Sequence, residues 1–75
     1  MTEMYRQPVN SSDIASIGYD AATETLEIEF KATGVYRYFS VPKNVWEELS
    51  RTPSPGKLFL QHIKGKYAWE KIGRD

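Results

Sequence analysis

The stretch Leu26-Glu27-Ile28-Glu29-Phe30-Lys31-Ala32-Thr33-Gly34-Val35-Tyr36-Arg37-Tyr38-Phe39 decides the fold. Its first six residues alternate apolar and charged, which sets a strand with one dry face and one wet face. Ala32-Thr33-Gly34 then supplies three loop residues ending in glycine, the pattern of a hairpin whose last loop position needs a positive φ. Residues 35–39 form the returning strand. If Lys31 pairs with Val35, Phe30 faces Tyr36, Ile28 faces Tyr38 and Glu29 faces Arg37. Aromatic and apolar side chains then meet on one face and opposite charges on the other. A two-residue turn would send Arg37 to Phe30 and Tyr38 to Glu29, mixing the faces. The first register is therefore expected, with Tyr36 and Tyr38 toward the core and Arg37 toward solvent.

Upstream, Ile14-Ala15-Ser16-Ile17-Gly18-Tyr19 is short, apolar and bounded by polar clusters, as a strand would be. Asp20-Ala21-Ala22-Thr23-Glu24 reads as the loop joining it to the hairpin, since Asp hydrogen-bonds its own following backbone. Residues 1–8 are expected to be a flexible lead-in, residues 9–72 a single domain and residues 73–75 a tail. Downstream, Pro42 ends the sheet run and suits a first helical turn. Val45, Trp46 and Leu49 recur at helical spacing. A second helix restarts at Ser54-Pro55, a capping residue followed by Pro at the first position. Leu58, Phe59, His62 and Ile63 would form its apolar face, Lys57, Gln61 and Lys64 its polar stripe, and Gly65 its stop. Tyr67-Ala68-Trp69-Glu70-Lys71-Ile72 alternates weakly and reads as either a packed extended tail or an added strand. The expected architecture is α+β: a three-stranded antiparallel meander followed by two α-helices packed on one face of the sheet.

Seventy-five residues hold one core, and ten aromatics let so short a chain fill it. Without cysteine there is no disulfide framework, thiolate nucleophile or Cys-ligated zinc. No apolar run is long enough to span a membrane and no leader pattern is present, so a cytoplasmic protein without membrane association is expected. Ten basic and ten acidic residues cancel, but unevenly. Residues 1–35 carry a net −4 and residues 36–75 a net +4. Such a split leaves room for a basic face.

Little in the chain suggests catalysis. His62, the lone histidine, is expected to pack on the apolar side of its helix. Glu27 and Glu29 share a strand face, but opposite Arg37 and Lys31 they read as a charge ladder rather than an acid–base pair. No serine stands in a Gly-x-Ser-x-Gly context, no glycine run ends in Lys-Ser/Thr, and Ser54 is expected to serve as a helix cap. The expectation is a non-enzyme with no catalytic residue, metal, cofactor or small-molecule substrate. Tyr36 and Tyr38, if turned toward the helices, serve the core more than they stack bases. Arg37, Arg51, Lys57, Lys64, Lys66 and Lys71 are then the candidate nucleic-acid contacts, through phosphate.

Several segments occur in one order: Ile17-Gly18-Tyr19-Asp20, Leu26-x-Ile28-x-Phe30, Gly34-Val35-Tyr36-Arg37-Tyr38, Val41-Pro42, Ser54-Pro55-Gly56-Lys57-x-Phe59 and Ile63-Lys64-x-Lys66-Tyr67. Together they resemble the KTSC domain family, named after the C-terminal domain of some lysyl-tRNA synthetases and also found as stand-alone bacterial or phage proteins. The resemblance covers residues 9–72, and Tyr36, Tyr38, Ser54 and Gly56 carry its most specific part. The family pattern commonly reads Ser-Lys-Gly where this chain has Ser54-Pro55-Gly56, one positive charge fewer. The resemblance implies no catalytic residues and points to RNA, tRNA in particular, as partner. The alternative is a protein-interaction or homodimer module, suggested by Leu60 opposite the apolar helix face and by Trp69.

Overall fold

The computed structural model describes residues 6–73. Five strands and two helices follow one another as β1 (Arg6–Pro8), β2 (Ile14–Asp20), β3 (Thr25–Phe30), β4 (Gly34–Tyr38), α1 (Lys43–Arg51), α2 (Pro55–His62) and β5 (Trp69–Gly73). The strands form one antiparallel sheet in the order β1-β2-β3-β4-β5. The α+β class and the two helices agree with the sequence, but the sheet has five strands rather than three. Both additional strands lie at edges, where few packing constraints shape a sequence. Of the expected lead-in, Arg6–Pro8 pair with β2, and Pro8 is tolerated because an edge strand can spare a ladder donor. Residues 1–5 and 74–75 lie outside the described residues. The segment left open between tail and strand is a strand, with Trp69 opposite Tyr38 and Lys71 opposite Tyr36.

The central hairpin is shifted by two residues from the expected register. Leu26 pairs with Tyr38, Glu27 with Arg37, Ile28 with Tyr36, and Phe30 with Gly34. Gly34 adopts the expected positive φ, +114°, but as the first residue of β4 rather than the last of the loop. Lys31-Ala32-Thr33 thus forms the loop. A slip of two leaves every side chain on its face. Arg37 therefore meets Glu27 rather than Glu29.

The dry face carries Ile14, Ile17, Leu26, Ile28 and Tyr38, and Val41, Leu49, Phe59 and Ile63 close over it. Tyr19 joins α1 to the sheet. Its ring stacks on Trp46 with centroids 5.6 Å apart and planes 8° from parallel, and its hydroxyl donates to the Val41 carbonyl. The Val41 N–H in turn donates to the Glu24 carbonyl at 2.9 Å. On α2, Pro55, Phe59 and Ile63, four residues apart, form the buried stripe. His62 falls one position off that stripe and is exposed, contrary to its expected packing. Ser54 precedes α2 as expected, yet its side chain makes no capping hydrogen bond. Its carbonyl accepts from the Leu58 N–H at 3.1 Å, and its own N–H donates to Thr52 Oγ1. Among the described residues, no helix is long and apolar enough to cross a membrane.

Candidate nucleic-acid interface

The two faces of β4 lead to different environments. On the face without helices, Arg37 lies between Glu27 of β3 and Glu70 of β5. Its Nη2 donates to Glu27 Oε2 at 2.7 Å, while Arg6 Nη1 donates to Glu27 Oε1 at 2.9 Å. Two guanidiniums cover the carboxylate so completely that Glu27 is only 4% exposed. Arg6 also donates through Nε to Ser16 Oγ, and Ser16 Oγ donates to Glu29 Oε1 at 2.8 Å. The expected charge ladder exists, but it is a connected network that ties β1 to β4. Arg37 is consequently engaged with carboxylate rather than presented freely to solvent.

On the other face, the helices pack over the sheet as far as Tyr38 of β4 but leave the corner at Tyr36 and Trp69 open. Phe59 of α2 packs edge-on against Phe30 and Tyr38, at 5.1 and 5.5 Å between centroids. The helix ends at His62 and the chain turns at Gly65, whose φ is +79°. β5 then returns along β4 and places Trp69 5.5 Å from Tyr36. Between the end of α2 and β5 lies an open cleft of about 240 Å³. Phe30, Tyr36, Tyr38, Phe59 and Trp69 make its walls, and exposed Lys64 borders it. Lys71 Nζ stands 6.0 Å from the Tyr36 ring centroid, within cation–π range. A second cleft of about 340 Å³ shares Phe30, Thr33, Phe59 and Lys64 with the first and runs on past Leu60 to Asp13.

The tyrosines differ. Tyr38 is 5% exposed and its hydroxyl is pushed up to about 12, mainly by burial and secondarily by neighbouring Tyr36. It remains a neutral hydrogen-bonding group throughout the physiological range. Tyr36 is only half-buried, with one side toward the open corner. The expectation that both rings serve the core holds for Tyr38 and in part for Tyr36.

The candidate cations do not form one patch. Lys64 and Lys71 flank the aromatic cleft, and exposed Lys66 follows in the turn after α2. Lys57 is exposed farther back on α2, beside a polar hollow shared with Asp13, Ser54 and Gly56. Arg51 is exposed in the last turn of α1. A Cβ placed on Gly56 would lie 3.5 Å from Asp13 Oδ2, an ordinary contact, so its site does not demand glycine on steric grounds. Of the residues lining the cleft, only Lys64 is among the nucleic-acid contacts expected from sequence, and Trp69 is expected there to serve a protein contact. Phe30 and Phe59 carry no binding signal in the sequence beyond the apolar periodicity of their elements. Among the described residues, no group of three His, Cys, Asp or Glu side chains gathers as metal ligands.

Comparison with known proteins gives concordant results. The KTSC domain family profile matches residues 10–67. A lysine–tRNA ligase of Trichormus variabilis is 44% identical over 61 residues, which are 81% of this chain and 11% of the ligase. The chain thus spans about a tenth of the length of the ligases it matches. A protein of Stutzerimonas stutzeri is 38% identical over 64 residues, covering 85% of this chain and 90% of that protein. The crystal structure of a KTSC domain protein from Yersinia pestis superposes with a TM-score of 0.92 at 45% identity. That match covers 95% of this chain and all of the other.

Proposed function

The chain belongs to the KTSC domain family, and from that premise we propose that it is an RNA-binding module, with tRNA the first ligand to test. The observation that carries the reading is Lys64 and Lys71 flanking an open aromatic cleft, with Lys66 close by in sequence. Lysines supply phosphate contacts, and aromatic surface beside them suits nucleic acid. The occurrence of a related domain in lysine–tRNA ligases adds indirect support. Arg37 is removed from the proposed contact set because Glu27 occupies it. Arg51 and Lys57 stand apart from the cleft and are left outside its centre. The module is read as a binder rather than an enzyme, since Glu27 and Glu29 are occupied by Arg6, Arg37 and Ser16. Its cytoplasmic location belongs to the same proposal.

Fluorescence anisotropy of labelled total tRNA, titrated at low and at physiological salt, tests the reading. Binding that weakens steeply with salt supports phosphate contacts. Flat anisotropy at both salts from folded protein sinks it. Leu60 and Ile72, exposed at 59% and 38%, motivate the second reading, a homodimer or protein partner on an apolar surface. Such a contact would tolerate salt and show in light scattering.

A further inference from the structure

Granting the RNA-binding reading above, we infer that the cleft between the end of α2 and β5 takes one unpaired base, so that the ligand is a single-stranded or loop segment rather than a duplex. The first reason is size. A volume of about 240 Å³ falls below the usual range of about 300–1,000 Å³ for drug-sized ligands and suits a single ring system.

The second reason is chemistry. Base stacking requires accessible π-surface, and Trp69 is 56% exposed beside half-buried Tyr36. An exposed Trp on an edge strand does little for the core, so its ring is available at small cost to the fold. Thr33 and Tyr38 bring hydroxyl-bearing side chains to the same lining, suited to hydrogen bonds with a base edge. The third reason is charge. Lys64 borders the cleft and Lys71 Nζ lies 6.0 Å from the ring of Tyr36, one of its walls, so a backbone passing the opening has two cations near it. Duplex RNA keeps its bases stacked inside and cannot fill the cleft without opening a pair.

The test compares three labelled ligands with the full chain at one salt: a short single-stranded oligoribonucleotide, its blunt duplex, and an oligomer of the same length with abasic sites replacing the bases. The intact single strand is expected to bind about tenfold more tightly than the abasic strand, the size of one stacked base. Trp69→Ala should abolish that preference while retaining salt-dependent binding to phosphate, and Trp69→Phe should restore part of it. Circular dichroism reports whether each variant is folded. Equal affinity for intact and abasic strands overturns the inference but leaves the RNA-binding reading standing. A base preference that survives in folded Trp69→Ala overturns the cleft assignment. No binding of any ligand overturns both.

Discussion

Arg37 pairs with Glu27 and not with Glu29, two residues farther along the same strand face. Glu27 holds two guanidiniums in near-complete burial, whereas Glu29 accepts a hydrogen bond from Ser16. The two glutamates, equivalent in the alternating pattern, therefore differ in energetic weight. Glu27→Gln removes the charge from a buried acceptor of charge-assisted bonds and should cost about 2 kcal/mol. Glu29→Gln should cost about 1 kcal/mol or less, because only a hydroxyl partner is weakened. Urea unfolding midpoints at unchanged m-value give both numbers. Equal losses would contradict the assignment.

Gly65 and Gly34 are two glycines with positive φ. A Cβ on Gly65 meets nothing within 4 Å, so Gly65→Ala isolates the backbone term, about 1–2 kcal/mol. Gly65→Asn should recover much of the loss, because asparagine tolerates the left-handed region. Gly34 is buried, so Gly34→Ala should cost at least as much. Thermal unfolding of the three variants ranks them.

Alkaline stability should depend on Tyr38. Its folded pKa is raised to about 12 from 10.0, mainly by burial. Above pH 10 the unfolded chain loses the proton while the folded chain keeps it, so the folded state binds more protons and stability falls with rising pH. The contribution is fully present below pH 10 and disappears by about pH 12. Over about two units at about 1.4 kcal/mol per unit, the loss is on the order of 3 kcal/mol. Tyr19 is shifted in the same direction, by burial first and then by Glu24 and Asp20, and adds to the slope. Tyr38→Phe should flatten the alkaline limb of a stability–pH curve; an unchanged slope would rule Tyr38 out as its source.

The cations should divide into two classes. Lys64→Ala and Lys71→Ala should each reduce the slope of log affinity against log salt for tRNA by about one. Arg37→Ala should leave that slope unchanged and lower the unfolding midpoint instead, since its partner is Glu27. A slope change for Arg37→Ala with stability intact would place RNA on the open sheet face.

The face of each residue in the central hairpin was legible because the strand period of two survives a register slip of two. Tyr36, Tyr38 and Arg37 therefore point as expected even though Arg37 pairs with Glu27 rather than Glu29. The slip itself was not legible, since Ala32-Thr33-Gly34 and Lys31-Ala32-Thr33 both leave three-residue loops. β1 and β5 were obscure for a different reason. Gln7, Pro8 and Glu70 satisfy an edge, which asks only for extended backbone. His62 falls outside the core because the buried stripe runs through Pro55, Phe59 and Ile63, so the proline that starts α2 is itself a packing residue. The cleft could not be read locally at all. Its walls come from β3, β4, α2 and β5, and only tertiary packing brings Phe30 near Trp69.

β5 has one further consequence. The family profile ends at Tyr67, while Trp69 and Lys71 lie beyond it. The last strand contributes to the cleft without supplying any of the nine side chains of the buried cluster. The cleft thus joins two kinds of wall: Tyr38 and Phe59, which the buried cluster also needs, and a final strand that the cluster does not. If the cleft binds as proposed, exchanging residues 69–72 between related domains should alter ligand preference at little cost to the core, making this strand a compact handle for re-engineering selectivity.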